Sequence, residues 1–127
     1  MNLSQLSART LFLIDGFGAM VSIFMLGFVL VNNQPLVGMP VEVLRILASI
    51  PCLFAIYSFA GRFLFKGRVE PYLKWIAIAN LMYCLLTAVL MVLFYTELTK
   101  LGIFYFVAEI IIVVTLSRAE LKVALAS

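Results

Sequence analysis

The stretch that decides the fold is Trp75 to Thr96, WIAIANLMYCLLTAVLMVLFYT, a run of 22 residues without a formal charge. As an α-helix rising about 1.5 Å per residue it would reach ~33 Å, enough to cross the roughly 30 Å hydrocarbon core of a bilayer. The whole chain has the same character, since 65% of its 127 residues are hydrophobic and only 12% are charged. A soluble domain of this size leaves about a third of its unfolded-chain surface exposed, so it could not hide that many apolar side chains. The composition therefore predicts a protein that folds in a lipid bilayer.

Three further apolar stretches accompany the first, and short polar breaks separate all four. They are Leu11 to Val31, Pro40 to Leu64 and Leu101 to Ser117. The stretch nearest the N-terminus is interpreted as a retained span, because it is 21 residues long and no cleavage site precedes a soluble domain. Short connections make sequential helices antiparallel neighbours. We predict one all-α domain over residues 1–127, a polytopic four-helix bundle running up-down-up-down through the membrane, with helices at about 9–31, 40–64, 71–96 and 98–122.

Basic residues are concentrated on one predicted side of the membrane. Two, Arg45 and Lys100, fall on one side, and seven fall on the side of the termini and the middle loop. The seven are Arg9, Arg62, Lys66, Arg68, Lys74, Arg118 and Lys122. Because Lys and Arg resist translocation, this asymmetry predicts that both termini of this multi-pass chain are cytoplasmic.

A few polar side chains fall inside the predicted spans, and these are the candidates for an ion site or a polar network. They are Asp15, Asn80, Glu109, Tyr57 and Tyr83. Counted from the nearest basic boundary residue, the first four of these lie in the cytoplasmic half. An ionised carboxylate near the middle of a span costs roughly 2.5–3.5 kcal/mol, so we expect Glu109 to face the bundle and to be a stronger candidate than the shallower Asp15.

Small and polar residues recur at helical spacing and predict the inward faces of three helices. These stripes are Asp15, Gly18, Ala19 and Ser22 on the first helix; Ala48, Cys52, Ala55 and Phe59 on the second; and Asn80, Tyr83, Cys84 and Thr87 on the third. The first and third stripes also align at an offset of 65 residues, which suggests a two-helix duplication or the chance similarity of apolar helices. After Ser117 the sequence mixes both charge signs, so we expect the last helix to continue into the cytoplasm by a turn or two.

Several function classes lack their usual residues. The chain contains no histidine, and its two cysteines lie singly in apolar runs, so we predict no metal site and no cofactor. The net charge of +3 is small and forms no basic stripe, which argues against nucleic-acid binding. No nucleophile with its base is recognisable, so we predict that the chain is not an enzyme.

Four segments together resemble small, uncharacterised four-helix bacterial inner-membrane proteins. They are Ile14 to Ala19, Gly38 to Pro40, Ile76 to Cys84 and Tyr105 to Ile110. The resemblance covers nearly the whole chain and includes Asp15, Asn80 and Glu109. It implies a location in the inner (cytoplasmic) membrane but no particular activity. The chain departs from membrane disulfide oxidoreductases, since it has no Cys-x-x-Cys, and from small multidrug exporters, since its first helix lacks a central glutamate.

Two functions are compatible with these features. The first is a non-enzymatic membrane protein that acts by helix packing, as a homo-oligomer or as an accessory subunit of another membrane protein. The alternative is a small proton- or cation-coupled transporter or channel that uses Glu109, Asp15 and Asn80. In both cases the bilayer is the first partner, because short loops leave little surface outside it.

Overall fold

The computed structural model describes residues 8–64 and 70–126, and all regular structure in these two ranges is helical. The helices are α1 (Ala8–Phe24), which continues as a π-helical segment over Met25–Leu30; the single turn α2 (Gln34–Val37); α3 (Val41–Phe63); α4 (Glu70–Leu93); and α5 (Lys100–Ala126). Four segments are long and apolar enough to cross a membrane: Ala8–Leu30, Val41–Phe63, Pro71–Leu93 and Lys100–Leu125. The predicted all-α fold with four membrane spans is confirmed.

The helix ends differ from the predicted ones where local hydrogen bonds favour a turn. The amides of Glu97 and Leu98 both donate to the carbonyl of Phe94, so α4 ends at Leu93 and a tight turn follows. At the other end of the sequence, α5 continues to Ala126, beyond the expected position 122. The predicted connection at 66–68 lies outside the described residues.

The four long helices alternate in direction, as predicted. At one end of the bundle the guanidinium of Arg9 donates to the carbonyl oxygen of Arg62 at 3.2 Å, joining the start of α1 to the end of α3. The hydroxyl of Tyr57 donates to the carbonyl of Tyr72 at 2.8 Å, joining the end of α3 to the start of α4. Val123, near the end of α5, packs against the apolar cluster at the start of α1. Both ends of the described chain therefore lie at the same end of the bundle, here called the termini end.

Helices α1 and α3 pack as a close hairpin, because two glycines leave room for aromatic rings from the facing helix. A methyl group at Gly61 would lie 2.7 Å from the ring of Phe12, and one at Gly16 would lie 2.9 Å from the ring of Phe59. Small residues allow such approach of membrane helices, whose association has no hydrophobic driving force. Helices α4 and α5 form the second hairpin, and contacts between the two hairpins are sparser.

The apolar interior is divided into two clusters near opposite ends of the bundle. The cluster at the termini end consists of Ala8, Leu11, Phe12, Leu73 and Ile76. The other contains Leu26, Leu30, Val37, Met39, Leu44, Leu47, Ala48, Tyr83 and Phe106. Large apolar side chains also cover the outside of the bundle, where Val92 is 76% exposed and Ile56 is 70% exposed. Such a surface suits lipid, and the region between the two clusters holds polar residues.

Candidate functional site

A hydrogen-bonded pair of polar side chains joins α1 to α4 inside the bundle. The side-chain amide of Asn80 donates to both carboxyl oxygens of Asp15, at 3.2 Å and 3.1 Å. Both residues are buried. The two positions are 65 residues apart, which is the offset at which the sequences of the two helices align. Sequence analysis predicted both residues as site candidates, and the structure brings them together.

A second carboxyl, that of Glu120 on α5, lies beside this pair. Glu120 is fully buried and interacts electrostatically with Asp15 and with the Asn80 amide. Neither of its oxygens is in hydrogen-bond geometry with a partner among the described residues. The predicted continuation of the last helix beyond Ser117 is confirmed, since α5 extends to Ala126, and Ser117, Ala119 and Glu120 on this extension pack inside the bundle.

Glu109 forms the centre of a second polar group. Its carboxyl faces the hydroxyl groups of Tyr83 on α4 and of Tyr105, one turn earlier on α5. Glu109 is only 8% exposed, and its two oxygens, like the Tyr83 hydroxyl, have no partner in hydrogen-bond geometry within residues 8–64 and 70–126. Within residues 8–64 and 70–126, no Lys or Arg interacts with the carboxyls of Asp15, Glu109 and Glu120.

Glu109 lies nearer the start of α5 than its end, nine residues from Lys100 and 17 residues from Ala126. It is therefore on the side of the helix midpoint away from the termini end. Its position in the cytoplasmic half of the membrane, expected from its distance to Arg118, stays a prediction.

A cavity of about 300 Å³ lies between the two hairpins and connects the two polar groups. Asp15 and Asn80 form part of its wall, and so do Tyr83, Tyr105 and Glu109. The rest of the wall is mainly apolar: Gly18, Ala19, Val21, Ser22, Met25, Pro51, Phe54, Ala108, Ile112, Val113 and Leu116. The whole predicted stripe of α1 lines this cavity: Asp15 and Ala19 are buried, Ser22 is half-buried and Gly18 is exposed.

Irregular backbone borders the cavity on two sides. Met25 is the first residue of the π-helical segment, and such segments occur frequently at functional sites. Pro51 lies within α3, and because proline has no backbone N–H, the ladder of hydrogen bonds lacks one donor there. Widened or interrupted helix turns are tolerated at membrane depth where they line a cavity or are buried in protein.

At the end of the bundle opposite the termini, α2 is joined to the turn before α5 by a set of contacts here called the α2 latch. The hydroxyl of Thr99 donates to the carbonyl oxygens of Leu36 and Val37, the second at 3.1 Å. Gly38 adopts a φ of 94°, and a side chain there would meet the carbonyl of Glu97. The latch ties the first inter-helix connection to the start of α5.

The cavity is open sideways rather than toward the α2 latch. Val21 on α1 and Ile112 on α5 line it and are also exposed on the outside of the bundle. Gly18 has no atom within 4 Å of the position that a Cβ would take. The rim of the cavity is thus the gap between α1 and α5, at a depth that lipid occupies in a membrane-spanning bundle.

Two predicted residues lie apart from the cavity wall. Tyr57 is half-buried near the termini end, where it bonds the Tyr72 carbonyl and packs beside Phe12 with 6.2 Å between ring centroids. Cys52 was expected on the inward face of α3 but is exposed, and Pro51 occupies the inward position instead. Cys84 is buried, and both thiols are free.

Sequence analysis missed Glu120 and Tyr105 as members of the site, although helical spacing could have found both. Tyr105 precedes Glu109 by four residues, and Glu120 follows it by 11, close to three full turns. All three therefore share one face of α5. The charges of Arg118 and Lys122 concealed this, because they made the segment resemble a solvated helix end.

The described residues contain no group of three or more His, Cys, Asp or Glu side chains arranged to hold a metal ion. Comparison with protein families, with characterised proteins and with solved structures gives no match. The resemblance of the four sequence segments to small bacterial inner-membrane proteins stays a prediction.

Proposed function

We propose that this chain is a subunit of a small transporter or channel that binds a proton or another cation in the cavity between its two hairpins. The observation that carries the proposal is the convergence of Asp15, Asn80 and Glu109 from three helices on one cavity at membrane depth. Ionisable residues inside a membrane are costly and usually mark ion or substrate pathways.

The electrostatics of the cavity favour a positively charged occupant. Three buried carboxyls lie in or beside it, and they interact with an amide, with tyrosines, with the Cys84 thiol and with each other. A buried carboxylate without a cationic partner is unfavourable, and two neighbouring carboxyls such as Asp15 and Glu120 repel when both are ionised. A proton or a monovalent cation removes both costs.

The assembly and the location belong to the same proposal. Four helices are few for a complete pathway, so we infer a homodimer or a larger assembly within the membrane. The excess of Lys and Arg in the termini and the predicted middle loop supports an orientation with this side in the cytoplasm. The resemblance to small bacterial inner-membrane proteins supports residence in an inner membrane.

A second candidate function has its own supporting observation. The bonds from Asn80 to Asp15 join α1 to α4, and such interhelical bonds fix helix register. A chain built around them can act without transport, by packing against copies of itself or as an accessory subunit of another membrane protein. This candidate is non-enzymatic, as is the first.

Ion flux in liposomes separates the two candidates. The purified protein is reconstituted at a fixed lipid ratio, a potassium diffusion potential is imposed with valinomycin, and an internal pH dye reports proton entry. We expect flux for the wild type and loss of flux for Glu109→Gln and for Asp15→Asn. Glu42→Gln is the matched control, because Glu42 is exposed in the first turn of α3, and we expect it to behave as wild type.

The same measurement can refute the proposal. Equal flux in all four proteins would show that the buried carboxyls do not carry the ion. No flux above empty liposomes, from protein that is folded and correctly inserted, would favour the packing function, and mass spectrometry of a mild-detergent preparation would then identify the membrane partner.

A further inference from the structure

We propose that the cation taken by this cavity is a small hydrophobic organic ammonium ion, held against the Glu109 carboxylate and admitted from the lipid between α1 and α5. This inference rests on the proposed function, because it names the class of cation that the same cavity binds.

The size and lining of the cavity suit an organic molecule. Its volume of about 300 Å³ reaches the lower end of the range for small-molecule pockets, roughly 300–1,000 Å³. Such pockets are mostly apolar with a few polar groups that fix orientation, and here the polar groups near Glu109 are the hydroxyls of Tyr83 and Tyr105. Ca²⁺ and Mg²⁺ need roughly six to eight oxygen ligands, which one carboxyl and two phenols do not supply.

Glu109 is the unsatisfied group that points to the ligand. It is 92% buried, as the complement of its 8% exposure, and it lines the cavity. Both of its oxygens lack a hydrogen-bond partner among the described residues. Tyr83 is buried beside it with its hydroxyl unpaired in the described chain, so two groups whose oxygens attract a positive charge face the same space.

Aromatic rings complete the surroundings of a cation. Phe54 and Tyr83 both line the cavity, and their rings meet edge to face with centroids 6.0 Å apart. Tyr105 contributes a third ring from α5. A cation within about 6 Å of an aromatic face gains roughly 0.5–2 kcal/mol, which favours quaternary and tertiary ammonium groups over neutral molecules of the same shape.

The access route follows from where the cavity is open. The rim residues Val21 and Ile112 are exposed on the outside of the bundle, in the gap between α1 and α5, while the α2 latch ties α2 to the start of α5 at the far end. A hydrophobic ammonium ion concentrates in the membrane and can reach the rim without crossing water. A hydrated inorganic ion has no such route through this gap.

Protons must compete with the ligand for Glu109. The titratable groups that face this carboxyl are Tyr83 and Cys84 from α4 and Tyr105 from α5, and Asp15 from α1 shares the cavity. Of the residues lining the cavity, those from α3 are Pro51 and Phe54, which are not titratable. Because the ammonium ion binds the ionised carboxylate, its affinity should rise as the pH rises and fall as the pH falls.

The test is direct binding of radiolabelled benzyltrimethylammonium to the purified chain in lipid nanodiscs, with empty nanodiscs subtracted. Unlabelled competitors are the same cation, its neutral carbon isostere neopentylbenzene, and benzenesulfonate. We expect displacement by the cation only, and a fall in affinity of about thirtyfold or more in Glu109→Gln, the size expected for a buried charge pair that loses one partner. Tyr83→Leu should weaken binding about fivefold through the lost ring, and Glu42→Gln should bind as wild type.

The outcomes separate this inference from the proposed function. Wild-type proton flux without ammonium binding, or equal displacement by neopentylbenzene, would overturn the inference and leave the proposed function standing. Unchanged binding in a folded Glu109→Gln protein would overturn it as well. If that variant does not fold, the pH dependence of wild-type binding tests the inference instead. An affinity that stays level or rises on acidification would contradict binding of the ammonium ion by an ionised carboxylate. Absence of both flux and binding would refute both proposals.

Discussion

The contact between Asp15 and Asn80 predicts a measurable coupling free energy between α1 and α4. One amide donates to both carboxyl oxygens at 3.1 Å and 3.2 Å in a buried setting. Interhelical hydrogen bonds in membrane proteins average about 0.6 kcal/mol and reach about 1.7 kcal/mol. Bonds to charged groups are worth roughly 1.5–3 kcal/mol. For the two contacts together we expect a coupling of about 1–2 kcal/mol, with the upper value if the carboxyl is ionised.

A double-mutant cycle measures this coupling. Asp15→Ala, Asn80→Ala and the double variant are unfolded in mixed micelles by raising the proportion of sodium dodecyl sulfate. Trp75, the single tryptophan of the chain, provides the fluorescence signal. The control cycle combines Asn80→Ala with Glu42→Gln, an exposed residue at the other end of the bundle, for which we expect additivity within about 0.3–0.5 kcal/mol.

The reasoning would be refuted by an Asp15–Asn80 coupling no larger than that of the control cycle. Such a result would mean that the two side chains do not meet in the folded protein, and the arrangement of α1 against α4 would be wrong. A coupling that grows as the pH is raised would show that the bond is made to the ionised carboxylate.

Three further predictions follow from the bundle. Gly38→Ala should lower the free energy of unfolding by about 2 kcal/mol or more, because φ is 94° and the new methyl would meet the carbonyl of Glu97. Gly18→Ala, where nothing lies within 4 Å of the new methyl, is the control in the same thermal melt. Equal melting temperatures of the two variants would contradict the geometry of the α2 latch. In detergent, a maleimide should alkylate the exposed Cys52 much faster than the buried Cys84, and equal rates from the folded protein would place Cys84 at the surface. A reporter that is active only in the cytoplasm should be active when fused to the C-terminus, and one that is active only outside the cytoplasm should be inactive there. The opposite pair of results would reverse the predicted orientation.

Hydrophobicity and small-residue spacing were enough to predict most of the architecture. Four spans follow from apolar length alone, and the stripe that begins at Asp15 faces inward because small residues let helices approach. The residues of α3 that face the interior were predicted less well. Cys52 is exposed and Pro51 is inward, because Gly61, Ala55 and Ala48, rather than Cys52, define the packed face.

The candidate site depended on tertiary information that no single helix contains. Glu120 looked solvated because Arg118 and Lys122 flank it, yet those two are exposed while Glu120 turns inward on the face of Glu109. Its burial is fixed by the rotation of α5 against α1 and α4. Packing of the bundle sets that rotation. The charge pattern along the sequence does not show which way each residue of α5 points.

The division into two hairpins has a mechanical consequence. Within each hairpin the helices are packed closely, so each should move nearly as a rigid body, whereas the sparser seam between them should be the softest direction of the molecule. The α2 latch ties that seam at one end, and the bond from Tyr57 to the Tyr72 carbonyl ties it at the termini end. We therefore expect the largest relative displacement of the hairpins between these two ties, at the level of the cavity. Spin-label distances across the seam should be broadest beside the cavity, and a uniform distribution along the seam would contradict this expectation. Such a motion would change the space available to an occupant of the cavity while both ends of the bundle stay joined.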